Sequence, residues 1–209
     1  QTGIFDVNPT RKQADNGFKV ALDGNTGLFF PVEVGYVHGS SQRDYGGTYK
    51  VGYYWDTSNA SRLEDPQARQ ASHRSGAYVQ LAQRLWKPEQ ETVRGLSGFA
   101  IGTQADAATG TLRRSWELGL SWRGPLRSRE DDALSLGWTR LDFSPRLRDY
   151  QRRSGVPVQT REEMIELNYG MQVSPWLVLR PALQYVSRPS GLSERPDAWV
   201  FTLQAQATL

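Results

Sequence analysis

From Met164 to the C-terminus the chain alternates apolar and polar side chains with a period of two. Odd positions carry Ile165, Leu167, Tyr169, Met171 and Val173, then Leu177, Leu179, Leu183 and Tyr185, then Trp199, Phe201, Leu203, Ala205 and Ala207. Residues i and i+2 of a strand share a face. These stretches therefore predict long β-strands with one apolar face and one face of Glu166, Asn168, Gln172, Arg180, Gln184, Thr202, Gln204 and Gln206.

The rest of the chain repeats the pattern. Phe18, Val20 and Leu22 alternate with Lys19 and Ala21, and Asp23 to Gly27 turns the chain into a strand over Pro31–Val37. Further strands are expected over Thr48–Trp55, Gly76–Trp86, Leu96–Thr103, Ser115–Arg123 and from Leu134 onward. Tyr49, Val51, Tyr53 and Trp55 share one face, as do Trp116, Leu118, Leu120 and Trp122. The expectation is about ten strands and no helix, within one domain over residues 1–209.

An alternating sheet can be half of a soluble sandwich, or the wall of a transmembrane barrel whose apolar face meets lipid and whose polar face lines water. Three features favour the barrel. Strands of about ten residues outrun those of most soluble sheets. The connections alternate between shorter ones, such as Ser174-Pro175, and longer ones, such as Asp56–Ser75 and Ser144–Glu162, as in barrels with short periplasmic turns and long external loops. Trp55, Trp86, Trp122, Trp176 and Trp199 sit near strand ends, where aromatic girdles mark the bilayer interfaces.

Composition narrows the chemistry. A mean hydropathy of −0.60 fits a barrel, whose lipid-facing residues are diluted by lumen residues, and no window is apolar enough for a transmembrane helix. The chain has no cysteine, which removes disulfides, thiol catalysis and Cys-ligated metals. Its N-terminus, Gln1-Thr2-Gly3-Ile4-Phe5-Asp6, lacks the basic and apolar regions of a signal peptide, as a mature secreted chain or a fragment would. The net charge is +3, with 25 basic and 22 acidic residues interleaved, which argues against a nucleic-acid partner.

The polar face holds the candidate chemistry. Lys19, Glu33, Lys50, Arg84, Glu117, Arg123, Glu166 and Arg180 are charges too numerous to bury, so they require water. Lys50, Arg84, Glu117, Arg123, Glu166 and Arg180 are the candidate substrate-binding residues of a lumen. Their mixed signs, with aromatics nearby, suit neutral sugars, whose hydroxyls both donate and accept; an anion pore would lack the three Glu. The Arg-rich segment Ser144–Glu162, with Arg146, Arg148, Arg152, Arg153 and Arg161, suits anionic lipopolysaccharide or a fold into the pore, and equally a solvated loop. His38 and His73 have no catalytic or metal-binding spacing, Asp131-Asp132 and Glu162-Glu163 read as solvated loop charges, and Gly46-Gly47 lacks a phosphate-loop context. No catalytic residue, metal or cofactor is expected.

Gly3-Ile4-Phe5-Asp6-Val7-Asn8-Pro9, Gly47 to Asp56 (GTYKVGYYWD), Gly95-Leu96-Ser97-Gly98-Phe99-Ala100 and Pro181 to Val186 (PALQYV) resemble the carbohydrate-selective outer-membrane porins of the OprB type. The resemblance runs in order through the chain and matches the family's C-terminal half. It implies part of a sixteen-stranded antiparallel barrel in the bacterial outer membrane that passes glucose and other small sugars by facilitated diffusion. The N-terminal half of the same barrel, or a homo-oligomer, is the expected companion, because a porin half would have two open edges. Outer-membrane barrels usually end in an aromatic residue, whereas this chain ends in Leu209. Two rival readings are a small complete outer-membrane barrel acting as an enzyme or adhesin, and a soluble sugar-binding β-sandwich.

Overall fold

The computed structural model describes residues 1–7, 27–39, 45–88 and 93–208. The strand expected around Phe18 to Leu22, Lys19 and Leu209 lie outside the described residues. Among the described residues twelve strands form: β1 (Phe5–Asp6), β2 (Leu28–His38), β3 (Gly47–Asp56), β4 (Ala60–Arg62), β5 (Asp65–Ala71), β6 (Arg74–Trp86), β7 (Gly95–Ala105), β8 (Leu112–Arg123), β9 (Ala133–Phe143), β10 (Arg161–Ser174), β11 (Leu177–Ser187) and β12 (Ala198–Ala207). All but β4 and β5 join one antiparallel sheet in the order β1-β2-β3-β6-β7-β8-β9-β10-β11-β12. Each strand pairs with its neighbour in the chain, apart from the β4–β5 hairpin inserted between β3 and β6. This up-and-down meander is what short connections between long alternating strands produce.

Two expectations need correction. A helix is present: α1 (Pro145–Arg153) lies in the segment read as a loop. Ser144 caps it, accepting from the Arg146 amide, Pro145 opens its first turn, and Arg152 and Arg153 close its last, where they face the helix's partial negative charge. The segment Asp56–Ser75, also read as a loop, contains the β4–β5 hairpin. A smaller shift moves the short turn to Pro175-Trp176, because the β10 ladder continues through a bulge to Ser174.

The sheet is a single layer. Its long strands run without a second sheet or helix across either face, and only Ala71, Ala108 and Ala182 are buried hydrophobic residues among those described. The apolar face is left open: Leu118, Leu136 and Leu167 are 48%, 49% and 48% exposed. A soluble sheet buries such a face against another layer. Antiparallel partners share a face, so the register carries the alternation across the whole wall. The apolar face reads Val34, Val51, Val79, Ala100, Leu118, Leu136, Ile165 or Leu167, Leu183 and Leu203 from β2 to β12.

Aromatic rings flank this band. Towards one end are Trp55, stacked on His73 with ring centroids 4.3 Å apart, Trp116, Trp138, and Tyr185 beside Trp199 at 4.9 Å. Towards the other are Tyr36 stacked on Tyr49 at 6.2 Å, Trp86, Trp122 and Tyr169. On β8, Trp116 and Trp122 are separated by about 20 Å of strand.

The two ends are built differently. The first end carries the turns β2–β3, β6–β7, β8–β9 and β10–β11. There Asp132, 1% exposed, accepts from Arg129 Nε, from Arg129 Nη2 at 3.2 Å, from Tyr169 Oη at 2.6 Å and from the Gln172 amide at 2.9 Å. It clamps the β8–β9 turn onto β10. Burial pushes its carboxyl up, but the hydrogen bonds from Arg129, Tyr169 and Gln172 outweigh burial and hold it below the ordinary 3.8. Asp132→Ala should lower the stability to unfolding by guanidinium in detergent by about 2 kcal/mol, the size of lost hydrogen bonds to a charge. Because the folded value is lowered, the clamp's contribution should be complete above pH 3.8 and disappear as pH falls through the lower folded value.

Candidate functional site

The polar face is the chemical surface of this wall. Its residues fall into rows set by the register. Lys50, Gln80, Ile101, Glu117, Thr139 and Met164 form one row from β3 to β10. The next row towards the first end holds Ala82, Phe99, Gly119, Gly137, Glu166 and Gln184. Arg84, Ser97, Ser121, Ser135 and Asn168 follow, and Arg123, Ala133, Gly170 and Arg180 lie beyond them.

All six candidate residues are on this face, but they do not converge on one point. Lys50, Glu117 and Glu166 lie in the middle rows. Arg84, Arg123 and Arg180 lie nearer the first end, so the lining is acidic in its middle and basic at that end. Arg84 donates to the main-chain oxygen of Arg94 at 2.6 Å, which ties it to the β6–β7 turn. Arg123 pairs with Asp131 at 3.3 Å. Arg180 extends over Gly170 and donates to Gln204 at 3.4 Å.

The acidic residues are held by neutral donors as well as by a cation. Lys50 Nζ donates to Glu33 Oε1 at 3.1 Å, and Tyr78 donates to Glu33 Oε2. Tyr78 reaches Glu33 because Gly52 lies between them: a Cβ there would overlap the Tyr78 ring. Glu166 accepts from Asn168 at 2.8 Å and from Gln184 at 2.5 Å. Each carboxylate oxygen so engaged keeps a free lone pair. The face therefore offers donors and acceptors a few ångströms apart, the pattern that a polyhydroxylated neutral molecule can match. Tyr78, Asn168 and Gln184 were not among the expected site residues. Their even-numbered positions, in phase with Lys50 and Glu166, are the signal that finds them.

At the second end the connections pack on one another. Ser144, fully buried, donates to the Ala107 oxygen at 2.6 Å and joins α1 to the β7–β8 loop. The Leu63 amide donates to the Ala108 oxygen at 2.7 Å. Glu64 in the β4–β5 turn pairs with Arg62 at 2.9 Å and with Arg146 at 2.6 Å, and Arg153 donates to the Glu64 main-chain oxygen at 2.7 Å. Arg146 and Arg153 of the Arg-rich segment thus latch the hairpin to α1, and Arg152 pairs with Asp149 at 3.2 Å.

A family model described as carbohydrate-selective porin, OprB family, matches residues 1–209. Porin B of Pseudomonas aeruginosa is 31% identical over 99% of this chain and 51% of its own length. The high-pH structure of Pseudomonas putida OprB superimposes with a TM-score of 0.85 at 30% identity, covering 99% of this chain and 54% of that one. A low-pH structure of the same protein, at 24% identity, has a TM-score of 0.60 over 87% of this chain and 46% of that one, and supports the fold alone. The chain spans about half the length of the curated relatives it matches.

The latch at the second end is open to test. Burial pushes the Glu64 carboxyl up, but the hydrogen bond from Arg62, a main-chain hydrogen bond and the nearby Arg146 outweigh it and hold it below the ordinary 4.5. Glu64→Gln should loosen α1, and trypsin should then cleave after Arg146, Arg152 or Arg153 several times faster than in the unaltered protein. The unaltered latch should hold above pH 4.5 and weaken only as pH falls through the lowered value. Equal cleavage rates would show that the latch does not order the helix.

Proposed function

This chain belongs to the carbohydrate-selective porin family OprB, whose members are bacterial outer-membrane channels rather than enzymes, and from that premise we propose that it forms part of the wall of a channel passing glucose and other small sugars by facilitated diffusion. The observation that carries this reading is the division of one unlayered sheet into two solvents. One face is an apolar band between aromatic girdles, suited to lipid. The other carries mixed charges with neutral donors and free acceptor sites, suited to water and sugar hydroxyls.

The residues that would act are Lys50, Arg84, Glu117, Arg123, Glu166 and Arg180, with Glu33 and Tyr78. Their role is a succession of hydrogen bonds. A sugar entering the lumen loses water partners and must regain them from the wall. Weak sites at intervals allow it to move on, whereas one tight site would trap it. Carboxylates in the middle rows oppose selection for anions. The basic rows nearer the first end keep the two signs in balance.

The sheet described has two free edges, β1 and β12, and an unpaired strand edge is untenable in lipid. That, with the half-length match to the relatives, supports the reading that this chain is the C-terminal portion of a larger barrel completed by N-terminal strands. The apolar face would meet outer-membrane lipid. Arginines at the second end would lie at the level of lipopolysaccharide phosphates.

Planar-bilayer recording on the full-length protein tests the proposal. Discrete channels whose ion current falls as glucose is added are expected; absence of any channel would overturn it. Glu117→Gln and Glu166→Gln should each shift ion preference towards anions by about twofold, the effect of removing a ~0.5 kcal/mol interaction at about 8 Å in water. Reversal potentials in a salt gradient measure this.

A further inference from the structure

The row Phe99, Gly119, Gly137, Glu166 differs from every other row of the polar face. Its two central positions carry no side chain, although they lie on neighbouring strands β8 and β9. The glycines are not equivalent. A Cβ on Gly119 would overlap the Phe99 ring, so that ring lies across Gly119 and covers its backbone. A Cβ on Gly137 would meet only the Leu118 carbonyl oxygen, at 3.9 Å, so the space above Gly137 is open.

The result is a shallow bay in the lining. Its floor is the Gly137 backbone, and one side is the Phe99 ring, 44% exposed. The opposite side is the Glu166 carboxylate, with each oxygen already oriented by Asn168 or Gln184. Ser121 and Ser135, joined by a 3.0 Å hydrogen bond, border the bay towards the first end. Glu117 and Thr139 border it towards the second. Two strand spacings, about 10 Å, lie between the leaning Phe99 ring and Glu166. That is roughly the breadth of one hexopyranose with its hydroxyls.

We propose that this bay is a hexose subsite, in which the apolar C–H face of a pyranose lies against Phe99 while its edge hydroxyls bond to Glu166, Ser121, Ser135 and Glu117. The inference rests on the sugar-channel reading and names where in this chain the ring is held. The chemistry fits a pyranose on two counts. The electron-rich face of an aromatic ring attracts the slightly positive C–H groups of a sugar face. A carboxylate whose oxygens are each half-occupied accepts from two adjacent hydroxyls without having to be freed from a cation. An anion would be repelled by Glu166 and Glu117. A linear polyol has the hydroxyls but no ring face to lay on Phe99.

The test uses full-length protein in planar bilayers, reading sugar-free conductance and the glucose concentration that halves the current. Phe99→Ala should raise the half-blocking glucose concentration about tenfold, with sugar-free conductance rising because a side chain leaves the lumen. Gly137→Leu fills the bay; it should raise the half-blocking concentration similarly while sugar-free conductance falls. Phe99→Tyr should bind glucose within about twofold of the unaltered protein. Block by sorbitol, a linear polyol, should be insensitive to Phe99→Ala. If glucose blocks the unaltered channel and both Phe99→Ala and Gly137→Leu with equal affinity, the subsite is overturned and the sugar channel stands. If the unaltered channel conducts ions but shows no response to glucose, both are overturned.

Discussion

The unbroken antiparallel ladder from β1 to β12 is the constraint on which everything else in this wall depends. A single-layer sheet has no core to stabilise it, so order comes from the strand-to-strand hydrogen bonds and from the medium that accepts each face. In lipid no water is available to satisfy a stray N–H or C=O, and the cost of each unpaired group is several kcal/mol. Long strands, sequential pairing and few interruptions follow directly. So does the need for partners at β1 and β12, where the described ladder stops.

Side-chain size then shapes both surfaces of the ladder. On the lipid face β7 contributes Leu96, Gly98, Ala100 and Gly102 before Gln104, and the larger neighbours Leu85, Leu120, Val79 and Trp116 lean over its glycines. On the lumen face Gly52 and Gly119 serve the same purpose for Tyr78 and Phe99. In each case a missing Cβ lets a larger side chain lean across to the next strand. The lumen's chemistry is thereby set by which strands yield space as much as by which strands carry charge. This is how Glu33 acquires a tyrosine donor that sits two strands away.

The two ends are held by different contacts. At the first end Asp132 fixes a turn to the wall, and Arg84 and Arg123 are engaged near the turns. At the second end the β4–β5 hairpin, the β7–β8 loop and α1 are packed on one another through Glu64, Ser144, Arg146 and Arg153. These contacts give the connections more structure than their loop-like composition implies.

The sequence by itself determined the strands from β8 to β12, the two faces of each, and the assignment of Lys50, Arg84, Glu117, Arg123, Glu166 and Arg180 to the polar one. Alternation is a local property, and a wall between lipid and water enforces it residue by residue, so it can be read without knowing any partner. Helix α1 was signalled by the Ser144-Pro145 start but hidden by its few apolar positions, Leu147 and Tyr150 among charges. The faces of β7 were not legible at all, because Phe99 and Ile101 look like wall residues and Gly98 and Gly102 like turn residues. Only the register with β6 and β8 turned Phe99 towards the lumen and laid it over Gly119. The clamp at Asp132, the Glu33–Tyr78 contact and the latch at Glu64 were likewise decided by the tertiary structure. Each joins residues far apart in the chain, and pairing between distant strands leaves no local period for a sequence to display.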